Sequence, residues 1–246
     1  KYKNEKIKSK HLSDLCQNGY LEIKNIFPED IKQEVISFFQ TKDGSRSKIN
    51  ENIIFNSHRG SKLAKALMSQ EFIDLLTLLT GYSKTIVTQE LIRNTFKQTE
   101  SSYENLGSNY LQQAFVLDTF YPCFKFWYFP FEMPSKLTPI EYVISSHLPT
   151  SKMMSYLRKS YLKNAYQLSS NDSSDNEEGT IRISDIELSR LGYKTKQVEV
   201  SSNSLLIINI GGFYKNLLHN NNLKRHSIHA SIKPNNIFDI KSYDPL

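Results

Sequence analysis

Apolar and polar residues recur along this chain with two different periods, and the change falls near its middle. Before residue 109 the spacing is mostly helical. His11–Gln17 is a short amphipathic stretch ending at Asn18-Gly19, a pair that stops helices because glycine takes the left-handed conformation at little cost. Tyr20-Leu-Glu-Ile-Lys-Asn-Ile26 then alternates apolar with polar residues, as a strand does. Pro28-Glu-Asp opens a second helix: proline suits a first turn, and the two acids complement the positive end of the helix dipole. Ile31, Val35, Ile36 and Phe39 form its apolar stripe. Two more helices are predicted over Lys62–Met68 and Glu71–Leu79, with Gly81 as a stop.

After residue 109 come short runs of β-branched and aromatic residues separated by turn signals. The predicted strands are Tyr110–Leu117, Phe124–Phe129, Ile140–Ile144, Thr180–Ser184, Gln197–Val200, Ser204–Ile210 and His226–Ile232. Two helices interrupt them. One covers Lys152–Tyr166, and the other starts at Ser184, where Ser184-Asp-Ile-Glu187 is a capping box. The polar, acidic Ser169–Gly179 reads as an exposed loop inside one domain rather than a boundary. Helices first and about seven such strands afterwards predict an α+β protein with an antiparallel jelly-roll core. The division is a helical part to about residue 105 and a barrel over about 106–240, in a single domain covering 1–246.

Composition narrows the partners. With 246 residues and 39% hydrophobic content the chain can bury one substantial core, or at most two modest ones. No apolar run reaches the roughly 18 residues of a membrane span, and no apolar segment follows the charged start as it would in a signal peptide. The chain does not begin with Met, as expected of one domain of a larger protein. Cys16 and Cys123 lie far apart with no metal-type spacing, which favours a reduced, cytoplasmic protein. A net charge of +6 favours an anionic ligand, but the basic residues are spread out and their densest cluster, Lys6–His11, is terminal. There is no zinc-finger spacing, Arg-rich helix or RNA-binding signature, so a nucleic-acid partner ranks last.

Three segments carry candidate chemistry. They are Ala114-Phe-Val-Leu-Asp118-Thr-Phe-Tyr-Pro-Cys-Phe-Lys-Phe-Trp-Tyr-Phe129, then Ile144-Ser-Ser-His147, then Ser204 through Gly211-Gly-Phe-Tyr214 to Arg225 and Ser231-Ile-Lys-Pro-Asn-Asn-Ile-Phe238. In this order they resemble the phytanoyl-CoA dioxygenase-like family of Fe(II)/2-oxoglutarate oxygenases, where His-x-Asp-Thr-Phe leads into a Lys-x-Trp strand, and a Gly-Phe-His turn precedes an arginine. Asn18-Gly-Tyr20, Phe27-Pro-Glu, Ile181-Arg-Ile-Ser-Asp and Leu191-Gly-Tyr extend the likeness over nearly the whole chain. The resemblance implies a double-stranded β-helix (jelly-roll, cupin-like) with flanking N-terminal helices. It also implies a site in which two imidazoles and a carboxylate hold Fe(II) on one face and an arginine pairs with 2-oxoglutarate.

Residue by residue, this chain departs from that pattern. The carboxylate falls on Asp118, but the first histidine position falls on Val116 and the second on Tyr214. The arginine position falls on Arg225, 225 − 214 = 11 residues after Tyr214, as in the family. Valine has no lone pair, and a neutral phenol is a poor Fe(II) ligand near pH 7. Arg225, Ser227 and Lys125 are the candidates for a retained 2-oxoglutarate-type pocket; in the structural reading Asp118 instead pairs with a lysine such as Lys125. Strand alternation sets Arg225, Ser227, His229 and Ser231 on one face and His226 on the other. His229 and Gln113 are the candidates for relocated ligands, whereas His11, His58, His147 and His219 read as structural or solvent-facing.

The expectation is therefore a catalytically degenerate domain with a ligand-binding or scaffold role. It needs no cofactor, and its partner is an anionic small molecule or another protein. The alternative is an active 2-oxoglutarate-dependent oxygenase, or another metal enzyme with relocated ligands, acting on a small-molecule or sugar-linked substrate. Fe(II) and 2-oxoglutarate would then be its cofactors.

Overall fold

A computed structural model describes residues 9–42, 53–54, 62–67, 69–81, 85–87, 92–96, 114–119, 123–132, 140–169, 181–217 and 225–234. The helices are α1 (Ser9–Asn18), α2 (Glu29–Lys42), α3 (Lys62–Leu67), α4 (Gln70–Thr80), α5 (Ser151–Ser169) and α6 (Asp185–Leu191). The strands are β1 (Tyr20–Ile23), β2 (Ile53–Ile54), β3 (Thr85–Val87), β4 (Ile92–Phe96), β5 (Phe115–Leu117), β6 (Phe124–Phe129), β7 (Ile140–Val143), β8 (Ile181–Ile183), β9 (Thr195–Val198), β10 (Ser204–Asn209), β11 (Tyr214–Asn216) and β12 (Arg225–Pro234).

They form two antiparallel sheets. The larger runs β1-β10-β6-β12-β4-β2, with β3 also on β12, and the smaller runs β8-β5-β11-β7-β9. Strand β6 sits at the centre of the larger sheet and is buried on both faces, which is why FKFWYF shows no simple alternation of apolar and polar residues. Phe124, Phe126 and Tyr128 enter the core that α1, α2 and α4 close with Leu15, Val35, Phe39 and Phe72. Trp127 and Phe129 turn the other way, into an inter-sheet core with Leu206, Ile208, Tyr142, Val198 and Tyr214. Lys125 shares that inward parity, and it is the one residue of β6 that is not fully buried. A third cluster, Phe115, Leu117, Ile181, Ile183 and Phe213, is capped by Met153 of α5 and Leu188 of α6.

Local chemistry sets the helix ends. The Ser69 hydroxyl accepts from the Phe72 N–H at the start of α4, and Gly81 ends that helix at φ 71°. The capping box at Ser184 forms as the sequence predicts, with the Glu187 carboxylate accepting from the Ser184 N–H at 3.0 Å. At one corner Asn203, at φ 55°, donates to the Phe27 carbonyl at 2.8 Å and accepts from the Tyr128 hydroxyl at 3.1 Å. That fastens the β1–α2 connection to the start of β10.

The structure departs from the periodicity in several places. Strands β2, β3 and β4 lie in the stretch that reads as helical, and β4 is the partner of the first half of β12. Its sequence, IRNTF, is too polar and irregular to announce a strand. Strand β9 starts two residues earlier than predicted, at Thr195, because its first three residues are exposed and carry no apolar signal. The three-residue β11 has no sequence signature at all. Residues 110–113 and 170–180, parts of the predicted first strand and acidic loop, lie outside the described residues. No helix among the described residues is long and apolar enough to cross a membrane.

Candidate functional site

Strands β5 and β11 are neighbours in the smaller sheet, and their one register pair is Tyr214 with Val116. The two positions at which the family resemblance expects histidines are therefore direct neighbours in the sheet. Asp118 follows two residues after Val116, on the same parity. From the opposite sheet Lys125 reaches across, and its Nζ lies 2.5 Å from Asp118 Oδ2. The Tyr214 hydroxyl donates to the same oxygen at 2.8 Å, and Lys125 Nζ donates to Tyr214 Oη at 3.1 Å. Three side chains from β6, β11 and the end of β5 thus close a triangle of hydrogen bonds.

Each member is held from behind. Trp127, two residues along β6 from Lys125, packs edge-on against the Tyr214 ring at 6.5 Å between centroids. Val116 packs into the same inter-sheet cluster. Tyr214 is buried, whereas about a quarter of the Asp118 and Lys125 side chains stays exposed, 25% and 26%. Burial holds the Tyr214 phenol well above its usual range, and the adjacent Asp118 charge and the bond Tyr214 donates to it push the same way. Tyr214 is accordingly a neutral donor. Lys125 and Asp118 balance one another, so the cluster carries no net charge.

A facial Fe(II) centre needs two imidazole lone pairs and a carboxylate oxygen. Here a hydrocarbon stands at one imidazole position and a protonated phenol at the other. The carboxylate oxygen that would face an ion already accepts from an ammonium and a hydroxyl. These residues do not fit Fe(II). Among the described residues no group of three or more His, Cys, Asp or Glu side chains is placed to hold a metal ion.

The other predicted residues lie elsewhere. Ile228 belongs to the helix-side core, so Ser227 faces between the sheets; its hydroxyl is buried and has no hydrogen-bond partner among the described residues. Ser231, not Ser227, is level with Lys125 in the β12–β6 register, which separates Ser227 from the triangle by four residues, about 13 Å of strand. The Arg225 backbone pairs with Phe96 of β4, six residues or about 20 Å from that rung. The His229 backbone is level with Trp127. The side chains of Arg225 and His229, and all of Gln113, His58 and His219, lie outside the described part. His226 sits against Phe39 and Phe131 on the helix side, as alternation predicts. His147 is engaged elsewhere: its Nε2 donates to the Cys16 carbonyl at 2.8 Å, and burial lowers its pKa.

The sequence singles out the Asp118–Lys125 pair, but not the third bond that closes it. A tyrosine at a ligand position, facing a strand with an inward lysine, is the signal that would have found it.

No family model matches the chain, and no curated protein matches its sequence. Solved structures do match. The epimerase SnoN, in complex with Fe3+, alpha ketoglutarate and nogalamycin RO, superposes with a TM-score of 0.61 at 10% identity, over 92% of this chain and 82% of that one. The non-heme alpha ketoglutarate dependent carbocyclase SnoK from nogalamycin biosynthesis gives 0.58 at 10% identity, over 94% and 85%. HygX from Streptomyces hygroscopicus, with nickel and 2-oxoglutarate bound, gives 0.56 at 12% identity, over 93% and 88%. At these identities the likeness is one of fold: this chain has the mixed helical and antiparallel-sheet architecture of Fe/2-oxoglutarate-dependent enzymes.

Proposed function

We propose that this chain is a catalytically inactive oxygenase-like domain of the phytanoyl-CoA dioxygenase type, which binds a ligand or a partner without oxidising it. The observation that carries the reading is the Asp118–Lys125–Tyr214 triangle, in which an internal ammonium and a neutral phenol use the carboxylate that a metal ion would need. The double-stranded β-helix belongs to the same proposal. In support of it, β4, β5, β6 and β7 alternate between the two sheets, as do β9, β10, β11 and β12.

The role that remains is binding or scaffolding. The charge of Lys125 is balanced by Asp118, so an anionic small molecule would rely on Arg225, with Ser227 as a neutral donor on the same strand. A partner protein is equally compatible with the lack of a metal-binding group among the described residues. Cys16 and Cys123 form no disulfide with each other, which suits a reducing, cytoplasmic setting.

The test is turnover of 2-oxoglutarate. Purified protein with Fe(II), ascorbate, oxygen and 2-oxoglutarate should form no succinate above a protein-free control. Succinate formation that disappears in Asp118→Ala would overturn the proposal in favour of an active oxygenase with relocated ligands such as His229.

A further inference from the structure

The two helices that cover the smaller sheet carry most of what this chain leaves apolar and exposed. Among the described residues six large hydrophobic side chains are exposed: Leu78, Leu148, Met154, Tyr161, Leu162 and Ile186. Leu148 lies just before α5, Met154, Tyr161 and Leu162 lie on it, and Ile186 is on α6. Leu78, on α4, is the exception. Single exposed apolar residues are ordinary, whereas such a concentration marks a contact surface.

Helix α5 turns Met153, Tyr156 and Leu157 onto the smaller sheet, with the i, i+3, i+4 spacing of one helix face. The ridge Met154–Arg158–Leu162, spaced by four residues, points away from that sheet. Met154 is 53% and Leu162 61% exposed, and Arg158 between them is exposed as well. The helix carries Lys152, Arg158, Lys159 and Lys163 and no acidic residue. Lys152, Arg158 and Lys159 are exposed, and none of them is in an ion pair among the described residues. The surface is thus apolar and cationic at once, in a chain of net charge +6.

We propose that this face of α5 docks an acidic helix of a partner protein, with a carboxylate opposite Arg158 and apolar side chains opposite Met154 and Leu162. The order of residues along the ridge discriminates between occupants. A lipid surface takes an apolar stripe with its cations at the margins, where they reach the headgroups. Arg158 instead stands in the middle of the stripe and would be carried towards the acyl chains. A partner helix matches the same ridge with an apolar–acid–apolar ridge of equal spacing, whose carboxylate meets the guanidinium fork. A second copy of this chain would bring like charges together. The docking face lies on the side of the smaller sheet opposite to Tyr214, so succinate formation at the Asp118 cluster would leave it standing.

The probe is a synthetic alanine-rich helical peptide with a glutamate four residues from a leucine on either side, titrated into isotope-labelled protein and followed by amide chemical shifts. Shifts should concentrate on α5, and a peptide with lysine in place of the glutamate should bind about ten-fold more weakly. Arg158→Glu should reverse that preference, and Met154→Ser with Leu162→Ser should weaken both peptides. No shifts on α5 at millimolar peptide, or equal affinity for the two peptides, would overturn the proposal. Affinity unchanged by the two serine substitutions would overturn it too, because charge alone would then hold the peptide. So would sedimentation with phosphatidylserine-containing vesicles without binding of the acidic peptide, the mark of a membrane surface. Should a variant not fold, the preference of the unmodified protein between the two peptides decides the matter.

Discussion

Tyr214 occupies a position at which the family resemblance expects a metal ligand, and its ring is buried against Trp127 with the hydroxyl aimed at Asp118. Removing that hydroxyl by Tyr214→Phe should cost about 1 kcal/mol at neutral pH, read from urea melts. The pH dependence has a definite sign. The folded-state pKa is raised, so the stabilisation is fully present below the ordinary value of 10.0 and is lost as pH rises through the folded value. Stability above pH 10 should therefore fall more steeply in the unmodified protein than in Tyr214→Phe. His147 behaves in the opposite sense. Its pKa is lowered by burial, so its stabilisation is present above the ordinary 6.5 and is lost as pH falls through the folded value. His147→Gln, which keeps a donor for the Cys16 carbonyl, should flatten the acid limb of a stability–pH profile; an unchanged limb would show that other groups set it. At this scale much was legible in advance. Asp118, Val116 and Tyr214 could be placed by motif, and Lys125 as a lysine able to pair with Asp118. The closure of the triangle was not legible, because it depends on how two sheets approach each other rather than on spacing within either.

Among the elements, strands with strong apolar content were readable and weak ones were not. Strand β6 lies where its run of aromatic residues predicts, and the α6 start follows from its capping box. Strands β3, β4 and β11 were invisible because short or polar segments become strands through pairing: β3 and β4 on β12, and β11 between β5 and β7. Corners show the same dependence on tertiary contacts. Asn203→Ala removes the side-chain bonds to both backbone groups of Phe27 and to the Tyr128 hydroxyl, and it leaves a β-carbon residue at positive φ without local compensation. A cost of about 2–4 kcal/mol is expected in urea unfolding. Gly19 is a second fastening point, at φ 84°, where an added Cβ would meet the Tyr142 hydroxyl at 2.4 Å and His147 Nδ1 at 2.6 Å. Gly19→Ala should therefore lower the melting temperature by several degrees, whereas Gly192→Ala, which meets no atom within 4 Å, should carry only the strain of its positive φ.

For the molecule as a whole, the fold is shared with Fe/2-oxoglutarate-dependent enzymes, while Val116 and Tyr214 stand at the positions where the family resemblance expects histidines. The larger sheet and its helices form one core and the space between the sheets another. The central claim, that Asp118 with Lys125 and Tyr214 bonded to it does not hold Fe(II), is tested most directly by mixing the unmodified protein anaerobically with Fe(II) and saturating 2-oxoglutarate. The visible metal-to-ligand charge-transfer band should be absent. A band that forms at one equivalent of iron and is lost in Asp118→Ala would contradict the account.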